Sequence, residues 1–141
     1  MGNKLFFTYE VEGGDLTQAG EASSQMKRAL KRLGLSPEVI RRASICMYEG
    51  EINMVIHAEG GTATVEVGLD DIVITLADRG PGIPNIEQAM EPGWSTAGAT
   101  ARDLGFGAGM GLPNMKKYSD KMDVQSTIGV GTTVTMTVHI A

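Results

Sequence analysis

The sequence predicts an α+β domain: a two-layer α/β sandwich in which a mixed, mostly antiparallel sheet is covered on one face by about three helices. Three observations predict it. Apolar residues alternate with the two-residue period of half-buried strands in several short runs. Between these runs lie segments whose apolar residues recur at three- and four-residue spacing, as on one stripe of a helix. Turn signals join strands pairwise into hairpins, which makes neighbours antiparallel. A helix with one apolar stripe must bury it, and one face of a sheet is the natural place.

The elements follow in order. Leu5, Phe7, Tyr9 and Val11 alternate with more polar neighbours, Phe6 excepted, and read as an edge-type strand. After Gly13-Gly14-Asp15, residues 17–33 read as a helix with Ala22, Met26, Ala29, Leu30 and Leu33 on one face and Gly34 as its stop. Ser36-Pro37-Glu38 supplies an N-cap, a proline at the first helical position and an early acid. The second helix then runs to about His57, ended by Gly60-Gly61. Residues 62–69 alternate through Ala63, Val65, Val67 and Leu69, while Ile72 to Ala77 is continuously apolar, with Asp70-Asp71 as the turn between them. From Gly80 to Gly109 periodicity is interrupted by Pro81, Pro84, Pro92, Gly93 and Gly98, so a long loop with a short helix near Ile86 to Met90 is expected. Loops of that length in a compact domain are usually functional or disordered. A helix from about Gly111 to Tyr118 precedes a hairpin of Met122 to Thr127 and Thr133 to Ile140, turned at Gly129-Val130-Gly131.

Composition bounds the function. A chain of 141 residues with 42% hydrophobic and 21% charged residues fits one soluble domain, residues 1–141, without staples. A net charge of −5 argues against nucleic acid as a partner, which would call for a basic stripe to displace counterions. Lys27, Arg28, Lys31, Arg32, Arg41 and Arg42 cluster, but on helical periodicity they read as solvated faces. Cys46 is the one cysteine and sits in an apolar helical stretch, where a buried structural thiol is expected. Neither a long apolar run nor a signal-peptide pattern is present, so the expectation is a cytoplasmic protein with no membrane partner.

Four segments could carry chemistry. On the second helix Ile45, Glu49, Ile52, Asn53 and Ile56 share a stripe, so Glu49 and Asn53 project side by side. A carboxylate and a carboxamide so placed can hold a proton acceptor beside an oxygen ligand for Mg2+, or can simply pair with each other or with a loop. Glu51 points away by about 200° of helical rotation and reads as solvent-facing. Asp78 ends the buried strand and opens Asp78-Arg79-Gly80-Pro81-Gly82, either a carboxylate for an exocyclic amine with glycines shaping a wall for a flat ring, or an ordinary Asx-type turn. Residues 105–111 read GFGAGMG, glycine on every second position running into a helix. Such a ladder lets a polyanion approach the backbone and the helix N-terminus, unless it is only a flexible loop. It is neither a Rossmann fingerprint nor a Walker loop, because no parallel βαβ unit surrounds it and no Lys-Ser or Lys-Thr follows. His57 and His139 lack metal-ligand spacing.

Taken in order, Glu49 with Asn53, Asp78-Arg79-Gly80-Pro81-Gly82, the 105–111 ladder and Gly131-Thr132-Thr133 resemble the N, G1, G2 and terminal Gly-Thr boxes of the GHKL ATP-binding superfamily. Together with Glu91-Pro92-Gly93-Trp94-Ser95-Thr96, they look most like the anti-sigma-factor serine/threonine kinases and related switch kinases. The resemblance implies a Bergerat ATP-binding fold with ATP and Mg2+ as cofactors. Asp78 would read the adenine amine, Gly80 and Gly82 would shape the adenine wall with Ile83 and Leu112 in the nucleotide site, and Thr133 would assist. Asn53 would ligate Mg2+, and the backbone around Gly107, Gly109, Met110 and Gly111 would hold phosphates beneath a lid of about residues 84–108. Glu49 would be the general base toward a seryl or threonyl hydroxyl of a partner, an anti-sigma antagonist, with a sigma factor as a second partner and a homodimer left open. The lid carries an extra-looking insert, Ala97 to Leu104, whose Arg102 is the basic residue near the ladder and a candidate for the γ-phosphate. Gly50, between Glu49 and Glu51, costs about 1 kcal/mol of helix propensity relative to Ala with no reason visible in the sequence. Two alternatives remain: an ATP-sensing module with little or no transfer, and a stand-alone histidine-kinase catalytic module.

Overall fold

Five alternating segments form one sheet in the computed structural model, which describes residues 4–14, 16–83, 85–90 and 111–140. The strands are β1 (Leu5–Glu12), β2 (Gly60–Val67), β3 (Asp71–Asp78), β4 (Lys121–Thr127) and β5 (Gly131–His139), in spatial order β1-β2-β3-β5-β4. Every pairing is antiparallel, in line with the mostly antiparallel sheet that the sequence predicts. The register aligns Leu5 with Val67, Gly61 with Asp78, Ala77 with Thr133 and Thr127 with Gly131.

Period-two burial gives the sheet one dry face. Ala63, Val65, Ile72, Ile74, Leu76, Val134, Met136 and Val138 are buried on it. Against this face lie α1 (Glu21–Arg32), α2 (Pro37–His57) and α4 (Gly111–Tyr118), and a single-turn α3 (Ile86–Ala89) follows β3. Met26, Met47, Met54, Met115 and Met136 are fully buried. Unbranched thioethers fill the irregular gap between helices and sheet without demanding one rotamer.

Local signals explain the helix bounds. Ser36 Oγ accepts from Val39 N at 3.3 Å and Pro37 opens α2, as the sequence predicts. Helix α1 begins later than predicted. Gly20 at φ 96° sits in the left-handed region and separates a short 3-10 turn, Leu16–Gln18, from the helix. Gly20 has no side chain to cap α1, and the cap comes from elsewhere. Glu51 Oε2 and Oε1 accept from Ala22 N and Ser23 N, each at 3.0 Å, and Glu51 is only 2% exposed. The expectation that Glu51 faces solvent is therefore corrected: it faces α1, and its charge sits against that helix's positive end.

Gly50 also finds its reason. A Cβ at Gly50 would lie 2.5 Å from Leu76 Cδ1 on β3, so glycine lets α2 pack directly on the sheet. Among the described residues no helix is long and apolar enough to cross a membrane.

Candidate active site

The site forms where the middle of α2, the start of α4 and the ends of β3 and β5 meet. At 100° per residue, Gly50 facing the sheet sends Glu49 and Asn53 to one flank of α2 and Glu51 to the other. The first flank meets α4. Glu49 Oε2 accepts from Asn114 Nδ2 at 2.9 Å, and Oε1 has no hydrogen-bond partner among the described residues. Asn53 faces Gly111, the first residue of α4, where an added Cβ would come within 3.0 Å of Asn53 Oδ1. The half-buried Asn53 carboxamide makes no side-chain hydrogen bond among the described residues. Gly111 thus keeps the helix start close to Asn53 without covering it, and Leu112 is buried in the core just behind.

Asp78, at the C-terminal end of β3, is half-buried. Its Oδ1 accepts from Thr132 N at 2.8 Å, while Oδ2 makes no hydrogen bond among the described residues. Burial pushes the Asp78 carboxyl above its ordinary range, and the Thr132 amide draws it partly back. The loop beyond is tied to the β4–β5 turn: Gly80 N donates to Val130 O at 3.3 Å and Gly129 N to Pro81 O at 2.9 Å. Gly82 takes φ 83°, and a Cβ there would lie 2.7 Å from Thr127 O. Ile83 N donates to Ser126 Oγ at 2.7 Å, and Ser126 Oγ lies 2.9 Å from Thr132 Oγ1. One hydrogen-bonded chain therefore runs Asp78, Thr132, Ser126, Ile83.

Thr133 requires a correction. Residue 132 shares the buried face of β5 with Val134 and Met136, whereas Thr133 falls on the opposite face, paired with Ala77 and Gln125. Thr132, not Thr133, stands beside Asp78. The signal was in the sequence: Thr132 has the same parity as the apolar series 134, 136 and 138. Ser126 had no such signal, because its place depends on strand register.

Arg102, Gly107, Gly109 and Met110, with Pro84 and most of the proposed lid, lie outside the described residues. No group of three or more His, Cys, Asp or Glu that could hold a metal occurs among the described residues. The Asn53 carboxamide oxygen, unengaged among the described residues, is a hard oxygen donor of the kind Mg2+ takes alongside phosphates and waters.

Comparison with known proteins agrees with this geometry. Residues 14–138 match the histidine kinase-like ATPase domain. Over 118 residues the chain is 32% identical to the serine/threonine-protein kinase RsbT of Bacillus subtilis (strain 168), covering 80% of this chain and 83% of that protein. It is 40% identical over 95 residues to the anti-sigma F factor of Pasteuria penetrans, covering 62% of this chain and 60% of that protein, so it spans less than two thirds of that relative. It is 35% identical over 113 residues to the anti-sigma F factor of Caldanaerobacter subterraneus subsp. tengcongensis, covering 75% and 76%. The fold is that of an ATP-binding domain. The chain belongs to the histidine kinase-like ATPase family, in the group of the anti-sigma-factor serine/threonine kinases.

Proposed function

We propose that the chain binds Mg2+-ATP between α2, α4 and the ends of β3 and β5, and transfers the γ-phosphate to a Ser or Thr hydroxyl of an anti-sigma antagonist protein. The observation that carries this reading is the convergence of Glu49 and Asn53 on the first turns of α4, across the sheet end from a half-buried Asp78. Asp78 Oδ2, without a hydrogen bond among the described residues, would accept from an exocyclic amine, and the Asp78-Thr132-Ser126-Ile83 chain holds that carboxylate and the following loop in one orientation. Asn53 Oδ1 would hold Mg2+, which neutralises phosphate charge when bound. The amides opening α4 and the ladder before it would face the phosphates, with residues 84–108 as lid and Arg102 toward the γ-phosphate.

Glu49, fixed at Oε2 by Asn114, takes the proton from the acceptor hydroxyl at Oε1 as that oxygen bonds to the γ-phosphorus and the bond to the β-phosphate oxygen breaks, releasing ADP. Interaction with a sigma factor, homodimer formation and a cytoplasmic location belong to the same reading. Calorimetry and transfer from γ-labelled ATP test it together. Asp78→Asn should weaken Mg2+-ATP binding by about 10- to 100-fold, the value of a hydrogen bond to a charged group. Glu49→Gln should spare binding and lower transfer by about 10² to 10⁴. Absence of ATP binding by the magnesium-replete protein would overturn the proposal.

A further inference from the structure

Outside the nucleotide site, α1, α2 and the end of α4 enclose an open groove of about 900 Å³. Its floor is mainly apolar, formed in part by Ile45 and Tyr48 of α2. Lys27 and Lys31 of α1, one turn apart and exposed, line one wall; Arg41 of α2 lines the other. Glu49 and Asn114 lie at the opposite end from the α1–α2 turn. The bonds from Ala22 and Ser23 to Glu51 pin the two antiparallel helices, and counting down both from that pin brings Lys31 level with Arg41. The groove therefore begins between cations and ends at the proposed general base.

We infer that this groove receives an acidic segment of the phosphoacceptor protein and delivers its Ser or Thr hydroxyl to Glu49; the inference deepens the proposed kinase reading and rests on it. Charge complementarity selects the occupant. In a chain of net charge −5, the exposed Lys27 and Lys31 on the rim are a local reversal of sign, and they favour an anionic segment by steering and register. Lys27 and Lys31 form no ion pair among the described residues. Arg41 is already paired at two atoms with Glu38, its Nη2 2.8 Å and its Nε 3.2 Å from that carboxylate, and its guanidinium lies 5.4 Å from the Tyr118 ring centroid, so the uncompensated charge of the rim is that of the two lysines. The apolar floor suits the stem of a peptide, which a bare phosphate backbone would not use.

The geometry also sets a spacing. Arg41 and Glu49 stand about two turns apart on α2, roughly 12 Å at 1.5 Å per residue. An extended segment covers that in about three to four residues at roughly 3.3 Å each. Acidic residues should therefore lie three or four positions from the acceptor hydroxyl.

Fluorescence anisotropy with the full chain, loaded with Mg2+-ATP analogue, tests this without requiring transfer. The probes are labelled peptides of about nine residues with Ser near one end and Glu at three and four positions from it, in either direction, the same peptides with Lys for Glu, and a single-stranded DNA of equal charge. At least one acidic peptide should bind about tenfold or more tighter than its lysine counterpart, weakening as salt rises from about 50 to about 300 mM. The double change Lys27→Glu with Lys31→Glu should reduce that binding about tenfold and leave nucleotide affinity unchanged; Lys27→Gln with Lys31→Gln should give an intermediate loss. Equal binding of acidic and lysine peptides, DNA binding as tight as the acidic peptide, or indifference to the lysine changes would overturn the inference. A peptide that binds in this manner yet accepts no phosphate supports the groove and counts against the transfer reading alone.

Discussion

Replacing Glu51 by Gln removes one charge and one acceptor oxygen from beneath α1. The carboxylate takes both of its described bonds, 3.0 Å each, from the first N–H groups of a helix whose N-cap residue, Gly20, has no side chain. Gln retains one acceptor and turns an NH2 toward the second donor. A hydrogen bond to a charged group is worth about 1.5–3 kcal/mol, and the charge–dipole contact up to about 2 kcal/mol in partly buried geometry. Relief from burying a charge offsets part of this. The net expectation is a loss of about 2–3 kcal/mol, which for a chain of this size lowers Tm by roughly 6–10 °C. Glu51→Ala should cost more, about 3–5 kcal/mol, since two buried N–H groups lose their partner and a cavity opens. The assay is thermal unfolding followed by circular dichroism, with Glu49→Gln as the control. Glu49 is half-exposed and among the described residues is bound only to Asn114, so its variant should melt within about 2 °C of the parent. A Glu51→Gln variant that melts with the parent would refute the trans-cap, as would a Glu49→Gln variant that loses as much.

Gly50→Ala should destabilise despite the better helix propensity of Ala: the new Cβ meets Leu76 at 2.5 Å, and overpacking of that kind costs about 1–3 kcal/mol against about 1 kcal/mol gained, giving a measurable drop in urea midpoint. Asp78→Asn should leave the nucleotide-free protein at least as stable as the parent at neutral pH. Burial raises the Asp78 carboxyl, so the stability that its proton contributes is present below the ordinary carboxylate value of about 3.9 and lost as pH rises through the raised value. The variant's advantage should accordingly grow through that window and then level off in unfolding titrations. Asp120 has the opposite sign. The His139 N–H, and after it Arg42, hold its carboxyl below the ordinary range, so its contribution is present above about pH 3.9 and lost as pH falls through the lowered value. The stability gap between parent and Asp120→Ala should close on acidification.

The outline of the fold was readable because its signals are local. The Ser36-Pro37 start and the Gly60-Gly61 stop set α2 to within a residue, and strict alternation at 134, 136 and 138 identified β5. What local pattern could not supply was the number of buried sides on α2. A single apolar stripe gives a helix one inside and one outside. This helix has the sheet beneath it, α1 on one flank and α4 on the other, so Glu51, placed outside by its angle from Glu49, is among the most buried residues of the chain. Glu49, Asn53 and Asp78 stood out as candidates because their residue types and order resemble a known set of boxes; the structure gives their places, and their roles belong to the proposed function. Thr132 was displaced by one position because the box fixes composition, whereas the face of a strand is fixed by parity and register.

The turn from Glu49 to Asn53 joins three separate constraints. Gly50 brings α2 onto Leu76, Glu51 ties it to the start of α1, and Glu49 and Asn53 meet Asn114 and Gly111 of α4. These contacts leave little freedom to rotate the helix: at 100° per residue, a turn that moved Glu49 off Asn114 would also withdraw Glu51 from two backbone donors. Stability and the placement of the proposed site residues are coupled there by covalent sequence rather than by a relay of side chains. The glycine that lowers helix propensity is then intelligible as part of the site. A larger residue would press on the Leu76 side chain beneath α2, and under the proposed function a shift of the helix by about 1 Å would carry Glu49 and Asn53 together and lower transfer on the order of 10²-fold.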